Sequence, residues 1–159
     1  MTAGHLEFLV EEPSMEAFLR ALLPRLLPRD RSFEVHPFQG KSDLLDKLQA
    51  RLRGYAKWLP DDWRIVVVVD RDDDDCRVLK ERLEIVAAEA GFLTRSQAFG
   101  RAWRLVNRIA VEELEAWYFG DWAAVRAERV NDFAAPGVMN LLRRVAIVGR
   151  CFSSPLLAG

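Results

Sequence analysis

Apolar positions in this chain switch between two periods, and the switches mark its elements. His5–Val10 is a short apolar run interrupted by Glu7, which predicts a strand. Pro13-Ser14 then opens a segment with Met15, Phe18, Leu19, Leu22, Leu23 and Leu26 at three- and four-residue spacing, an amphipathic helix that ends at residues 28–31. Residues 32–38 alternate as a second strand. Gly40 turns the chain, and Ser42 is placed to cap a helix carrying Leu44, Leu45, Leu48, Leu52 and Tyr55, broken by Pro60. Residues 63–69 form a third strand whose unbroken apolar run suits a central parallel strand covered on both faces. A helix over 74–90 follows, stopped by Gly91. Residues 92–98 and 103–109 are two more strand candidates, and helix returns at 112–118, extending to Val130 at most.

Strand and helix alternate throughout, which predicts an α/β domain: a parallel or mostly parallel sheet of four to five strands, flanked by helices as a three-layer sandwich. Open sheets of this kind hold ligands beyond the carboxyl ends of their strands. That rule locates the acids. Glu11 and Glu12 end the first strand, while Asp70 and Asp72 end the third within V-V-V-V-D-R-D-D-D-D-C. Side chains two apart in an extended segment face one side, so Asp70 and Asp72 can meet above the sheet edge, with Glu11 or Glu12 joining if the two strands are neighbours. Three such carboxylates repel by something on the order of several kcal/mol unless a cation neutralises them, and hard oxygen ligands suit Mg²⁺ or Mn²⁺. For Asp73, Asp74 and Asp75 the simpler account is a solvated loop and helix start, where Asp is favoured by capping and the helix dipole.

Three familiar patterns fail. Asp70, Asp72, Asp74 and Glu81 fit an EF-hand loop, but Asp75 stands where the sharp turn needs Gly, and a strand precedes the loop. Gly40-Lys41-Ser42 imitates a phosphate-binding loop, yet its first glycine position is Val35. A receiver domain also uses acids after its first and third strands, but needs a small hydroxyl residue after the fourth and a Lys after the fifth. The predicted ends read Gln97-Ala98-Phe99 and Asn107-Arg108-Ile109.

Composition narrows the class without naming a partner. A chain of 159 residues, half of them hydrophobic and 30% charged, is long enough for one domain with its own core. The net charge of −1 gives no global attraction to nucleic acid or an anionic membrane. Only Arg95, Arg101, Arg104 and Arg108 cluster enough to offer a local backbone-contacting patch. Two cysteines, Cys76 and Cys151, lack metal-ligand spacing and argue against a disulfide framework, which predicts a reducing, cytoplasmic setting. No stretch has the pattern of an export signal or a membrane span. His36, alone in the second strand, reads as a satisfied structural group.

Four ordered blocks, F-L-V-E-E-P-S-M-E-A-F-L, F-Q-G-K-S-D-L-L, V-V-V-V-D-R-D-D-D-D-C and N-R-I-A-V-E-E-L-E-A-W-Y-F-G-D, resemble a bacterial Toprim-like family of unknown function, number 4276, over roughly residues 5 to 122. The resemblance implies kinship with the Toprim domains of overcoming-lysogenization-defect nucleases. It puts the Toprim Glu at Glu11 and the Asp-x-Asp at Asp70 and Asp72. Two departures stand out: Glu12 replaces the glycine common after the first Glu, and the tail from about Asn131 does not match the helical region expected of relatives. The expected layout is a Toprim-like domain over 1–130, with a divergent or shortened tail over 131–159 packing on it.

The function implied is a divalent-metal-dependent nuclease or related phosphoryl-transfer domain, with a setting in defence against phage and a companion protein such as an ATPase. The Asp pair would hold Mg²⁺ or Mn²⁺, and Glu11 would act as general acid/base or as a further ligand. Glu115 is the candidate for a second metal, with Glu112 on the same helical face. Lys41 can contact a phosphate or balance the acids. Glu12 and Asp74 are accessory candidates, and Arg101, Arg104 and Arg108 are those for nucleic-acid contact. The competing expectation is a non-enzymatic module: a metal-stabilised scaffold, a receiver-like switch, or a degenerate Toprim domain that engages a partner.

Overall fold

A computed structural model describes residues 4–110. Its elements run β1 (His5–Val10), α1 (Pro13–Leu26), β2 (Ser32–Pro37), α2 (Lys41–Ala56), β3 (Trp63–Asp70), α3 (Cys76–Glu89) and β4 (Leu105–Ala110). The strands form one sheet in the order β2-β1-β3-β4, every pair parallel. The α/β expectation holds: four parallel strands with three flanking helices.

Side-chain alternation along each strand divides the core in two. Leu9, Ile65, Val67, Val69, Leu105 and Ile109 face α2 and α3, where Leu44, Leu48, Leu52, Leu79, Leu83 and Ala87 complete the larger cluster. Phe8, Val10 and Val35 face the other way, onto Met15, Leu19 and Leu23 of α1. The four valines of β3 are therefore not equivalent. Val67 and Val69 are fully buried, whereas Val66 and Val68 are only partly buried on the α1 side.

Helix placement follows from connectivity. The chain leaves β1 for β2 on one side through α1, then returns through α2 to β3 on the other side of β1. Uniform crossover handedness puts helices on opposite faces when the direction of strand addition reverses. The reversal opens a crevice between the carboxyl ends of β1 and β3, the usual place for a ligand in such sheets.

Local differences from expectation have identifiable causes. Residues 92–98 are not a strand. Only Thr94 bridges to β4, at Leu105, and the segment then turns through Phe99 and Gly100, at φ of +45° and +87°. Its apparent alternation arises because Thr94 and Ser96 turn toward a buried glutamate of α3. Helix α2 begins at Lys41 with Gly40 at its N-cap, so Ser42 lies inside it. Helix α3 begins at Cys76, capped by Asp75. Among the described residues no helix is long and apolar enough to cross a membrane. The predicted helix after 111 and the tail over 131–159 lie outside the described residues.

Candidate functional site

Glu11 directly follows β1 and Asp70 ends β3, so the pairing of these two strands brings together residues 59 apart in sequence. One carboxylate oxygen of Glu11, Oε2, accepts the Asp70 backbone N–H at 3.0 Å. The other acid is less well served. Asp70 Oδ1 is buried and has no hydrogen-bond partner among the described residues. Burial pushes the Asp70 carboxyl up to about 7, helped by the charges of Glu11, Asp72 and Glu12 and opposed by Lys41. Burial also raises Glu11, against the pull of the Asp70 amide and Lys41, with Asp72 and Glu12 adding repulsion.

Asp72 reaches this edge by a different route from the one its spacing suggested. The strand ends at Asp70, and Asp72 sits in the turn beyond it with φ +47°, so the two aspartates do not lie on one extended face. Its carboxylate instead pairs with Lys41 Nζ at 2.6 Å. Lys41 Nζ also donates to Asp74 Oδ2 at 2.8 Å and to the Arg71 carbonyl at 3.1 Å. Burial disfavours the Lys41 charge, but the hydrogen bonds of Asp72 and Asp74 outweigh it and raise the ammonium's pKa.

The remaining candidates separate. Glu12 is exposed and accepts the Ser14 hydroxyl at 2.5 Å. Asp75 caps α3, accepting from the N–H groups of Arg77 and Val78 at 2.8 and 3.2 Å. Arg101 and Arg104 precede β4 and so lie at the amino edge, opposite Glu11 and Asp70. The Arg104 guanidinium braces the Leu59 and Pro60 carbonyls there. Arg108 lies within β4, and burial, then the nearby Arg95 charge, lowers its pKa. Glu112 and Glu115 lie outside the described residues.

The donor chemistry at Glu11 and Asp70 fits a hard divalent cation: two carboxylates side by side, one carrying a buried oxygen with nothing bound to it. The third acid is committed to Lys41. Correspondingly, no three His, Cys, Asp or Glu side chains among the described residues are grouped so as to hold a metal as they stand.

Two buried polar clusters were not assembled from the sequence, although His36, read there as a satisfied structural group, belongs to the first. Glu7, 5% exposed, accepts Tyr55 Oη at 2.8 Å and contacts His36 Nε2 at 2.6 Å and His5 Nε2 at 3.1 Å. Glu84 of α3 meets Lys80 Nζ at 2.8 Å, Ser96 Oγ at 2.6 Å, Asn107 Nδ2 at 2.9 Å and the Thr94 hydroxyl. A further clue to the first was a glutamate inside an apolar strand; His36 and Tyr55 stand 29 and 48 residues from it, and His5 only two. Both clusters consist of acids whose demands are met by neighbours.

The family model described as a domain of unknown function (DUF4276) matches residues 10–142, and the chain belongs to that family. No curated protein and no solved structure matches the chain.

Proposed function

We propose that this member of the family is a divalent-metal-dependent phosphodiesterase or nuclease of the Toprim type, with its centre at Glu11 and Asp70. The observation that carries the reading is the buried, unpartnered Oδ1 of Asp70 beside Glu11, at the crevice where strand order reverses. Burying an acid oxygen without a partner costs stability, and a cation there would recover it.

Bound Mg²⁺ or Mn²⁺ would supply charge stabilisation to a phosphoryl group. The protein's own part is orientation and proton handling. Glu11 is fixed by its bond to the Asp70 amide, and its other oxygen is left to accept a proton from an attacking water. Asp70 and Glu11 would hold the cation, with Asp72 as the third ligand once released from Lys41. A substrate path along this edge leaves out Arg101 and Arg104, which stand at the opposite one. The wider setting of the proposal is cytoplasmic, in defence against phage, beside a companion protein such as an ATPase.

A second reading, a regulatory or degenerate module without catalysis, is favoured by the closed Lys41–Asp72 pair. A receiver-like phosphorelay form of it has little support: β4 ends at Ala110 and the sequence continues Val111-Glu112-Glu113, again without a hydroxyl residue. The discriminating experiment incubates single-stranded and duplex DNA and RNA with the full chain in Mg²⁺ or Mn²⁺. Cleavage by wild type that Asp70→Asn lowers at least about 100-fold is expected. Equal cleavage by both proteins, or none by either, sinks the enzyme reading.

A further inference from the structure

Lys41 is the first residue of α2, placed at the carboxyl edge by the Gly40 turn at φ +99°, and the Gly40 N–H is tied to the Glu11 carbonyl at 2.9 Å. A lysine at the start of an exposed helix would ordinarily extend its ammonium into water. This one folds back until its side chain is only 17% exposed, while Asp72 and Asp74 remain 53% and 52% exposed. Its three protons meet three acceptors: Asp72, Asp74 and the Arg71 carbonyl. The ammonium thus fills the role of a cation among acids, and it does so on Asp72, the carboxylate nearest in sequence to the unpartnered oxygen of Asp70.

We propose that Lys41 is the resident counter-ion of this edge: it holds Asp72 in reserve and yields it when a divalent cation enters at Glu11 and Asp70. The proposal rests on the metal reading above and adds to it a competitor that sets the concentration at which metal binds. An Asp72 carboxylate turned to Lys41 is not turned to the crevice, so the two partners exclude each other. A divalent ion brings two charges against one and prefers hard oxygen donors, which lets it win the exchange. Lys41 keeps Asp74 and the Arg71 carbonyl, so its side chain need not leave the edge. The arrangement also limits repulsion in the metal-free protein, where Asp70, Glu11 and Asp72 would otherwise face one another uncompensated.

The test titrates MgCl₂ and MnCl₂ calorimetrically into the full chain as wild type, Lys41→Met, Lys41→Arg and Asp70→Asn, with thermal melts before and after saturation. Lys41→Met is expected to bind metal roughly five- to tenfold more tightly. Its metal-free form should melt lower than wild type, and the gap should narrow at saturation. Lys41→Arg keeps the charge and should bind as wild type does, whereas Asp70→Asn should bind little. Lys41→Gln replaces the Met variant if the latter does not fold.

Unchanged or weaker binding by Lys41→Met, with Asp70→Asn still defective, overturns the counter-ion proposal and leaves the metal reading standing. Equal binding by wild type and Asp70→Asn removes the metal reading and this proposal together. Uptake by Lys41→Met alone shows an ammonium that metal does not displace and overturns the exchange, and no uptake by any of the proteins rejects both.

Discussion

Glu84 and Asp70 are both acids drawn out of water by the same sheet, and they end in opposite states. Burial works against the Glu84 charge, yet hydrogen bonds from Lys80, Ser96, Thr94 and Asn107 outweigh it and hold the carboxyl below its usual range. Asp70 has an oxygen with no partner and three acids nearby, and burial pushes it up to about 7. A single fold has therefore satisfied one acid completely and left another open. Where neighbours supply donors, a buried carboxylate is part of the core; where they supply further carboxylates, it waits for something from outside.

The largest expected effect breaks the satisfied side of this contrast. Glu84→Ala strips Lys80 of its anion and leaves Thr94, Ser96 and Asn107 short of an acceptor between α3 and β4. Removing one partner of a buried ion pair costs about 3–5 kcal/mol, because the remaining charge stays buried without compensation. Urea unfolding monitored by far-ultraviolet circular dichroism measures it. A loss under about 1 kcal/mol would mean that the cluster hydrates freely and that Glu84 is no structural counterpart to Asp70.

This contrast shows what one sequence can carry. Periodicity located β1, α1, β2, α2 and β3 closely, because the apolar positions of each keep one period between clear breaks. It failed at residues 92–98, where Thr94 and Ser96 look like the polar side of a strand but serve Glu84 instead. Glu11 and Asp70 were legible as strand-end acids, since the alternation of elements implied parallel strands with their carboxyl ends together. The turn at Asp72 was not legible: its positive φ has no glycine to announce it. The distant partners of Glu7 and Glu84 were hidden for another reason. His36 and Tyr55 reach Glu7, and Asn107 reaches Glu84, only through strand order and helix packing, whereas Lys80, four residues before Glu84, and His5, two before Glu7, stand at local spacing.

A smaller effect sharpens the open side through pH. The folded-state value for Asp70, about 7, stands above its ordinary 3.8. A raised carboxyl binds its proton more tightly in the folded protein, so the stability it contributes is full below 3.8 and is lost as pH rises through about 7. Metal-free wild type should therefore lose stability between about pH 4 and 7 relative to Asp70→Asn, by something on the order of 1–2 kcal/mol after allowance for partial solvation. Glu11 is raised as well and its charge helps to raise Asp70, so the difference between the two pH profiles reports Asp70 together with its coupling to Glu11. Parallel profiles would show that Asp70 is hydrated and that its free oxygen carries no cost.

The smallest effect lies five residues further along, where the same run of acids changes character. Asp75 is exposed, and its carboxylate accepts the N–H groups of Arg77 and Val78, which lower its pKa, while they in turn gain the acceptor that a helix start lacks. The sign of its pH dependence is then opposite to that of Asp70. A lowered carboxyl contributes stability above its unfolded value of 3.8 and gives it up as pH falls through the folded one. Asp75→Ala should lower the melting temperature slightly at pH 7, and the deficit should vanish in acid, where wild type has lost the cap too. The metal-induced rise in melting temperature should be the same in Asp75→Ala and wild type, because the carboxylate is spent on α3. A variant that loses this rise would place Asp75 in the centre with Asp70, and the division of the acid run into a site and a cap would fail.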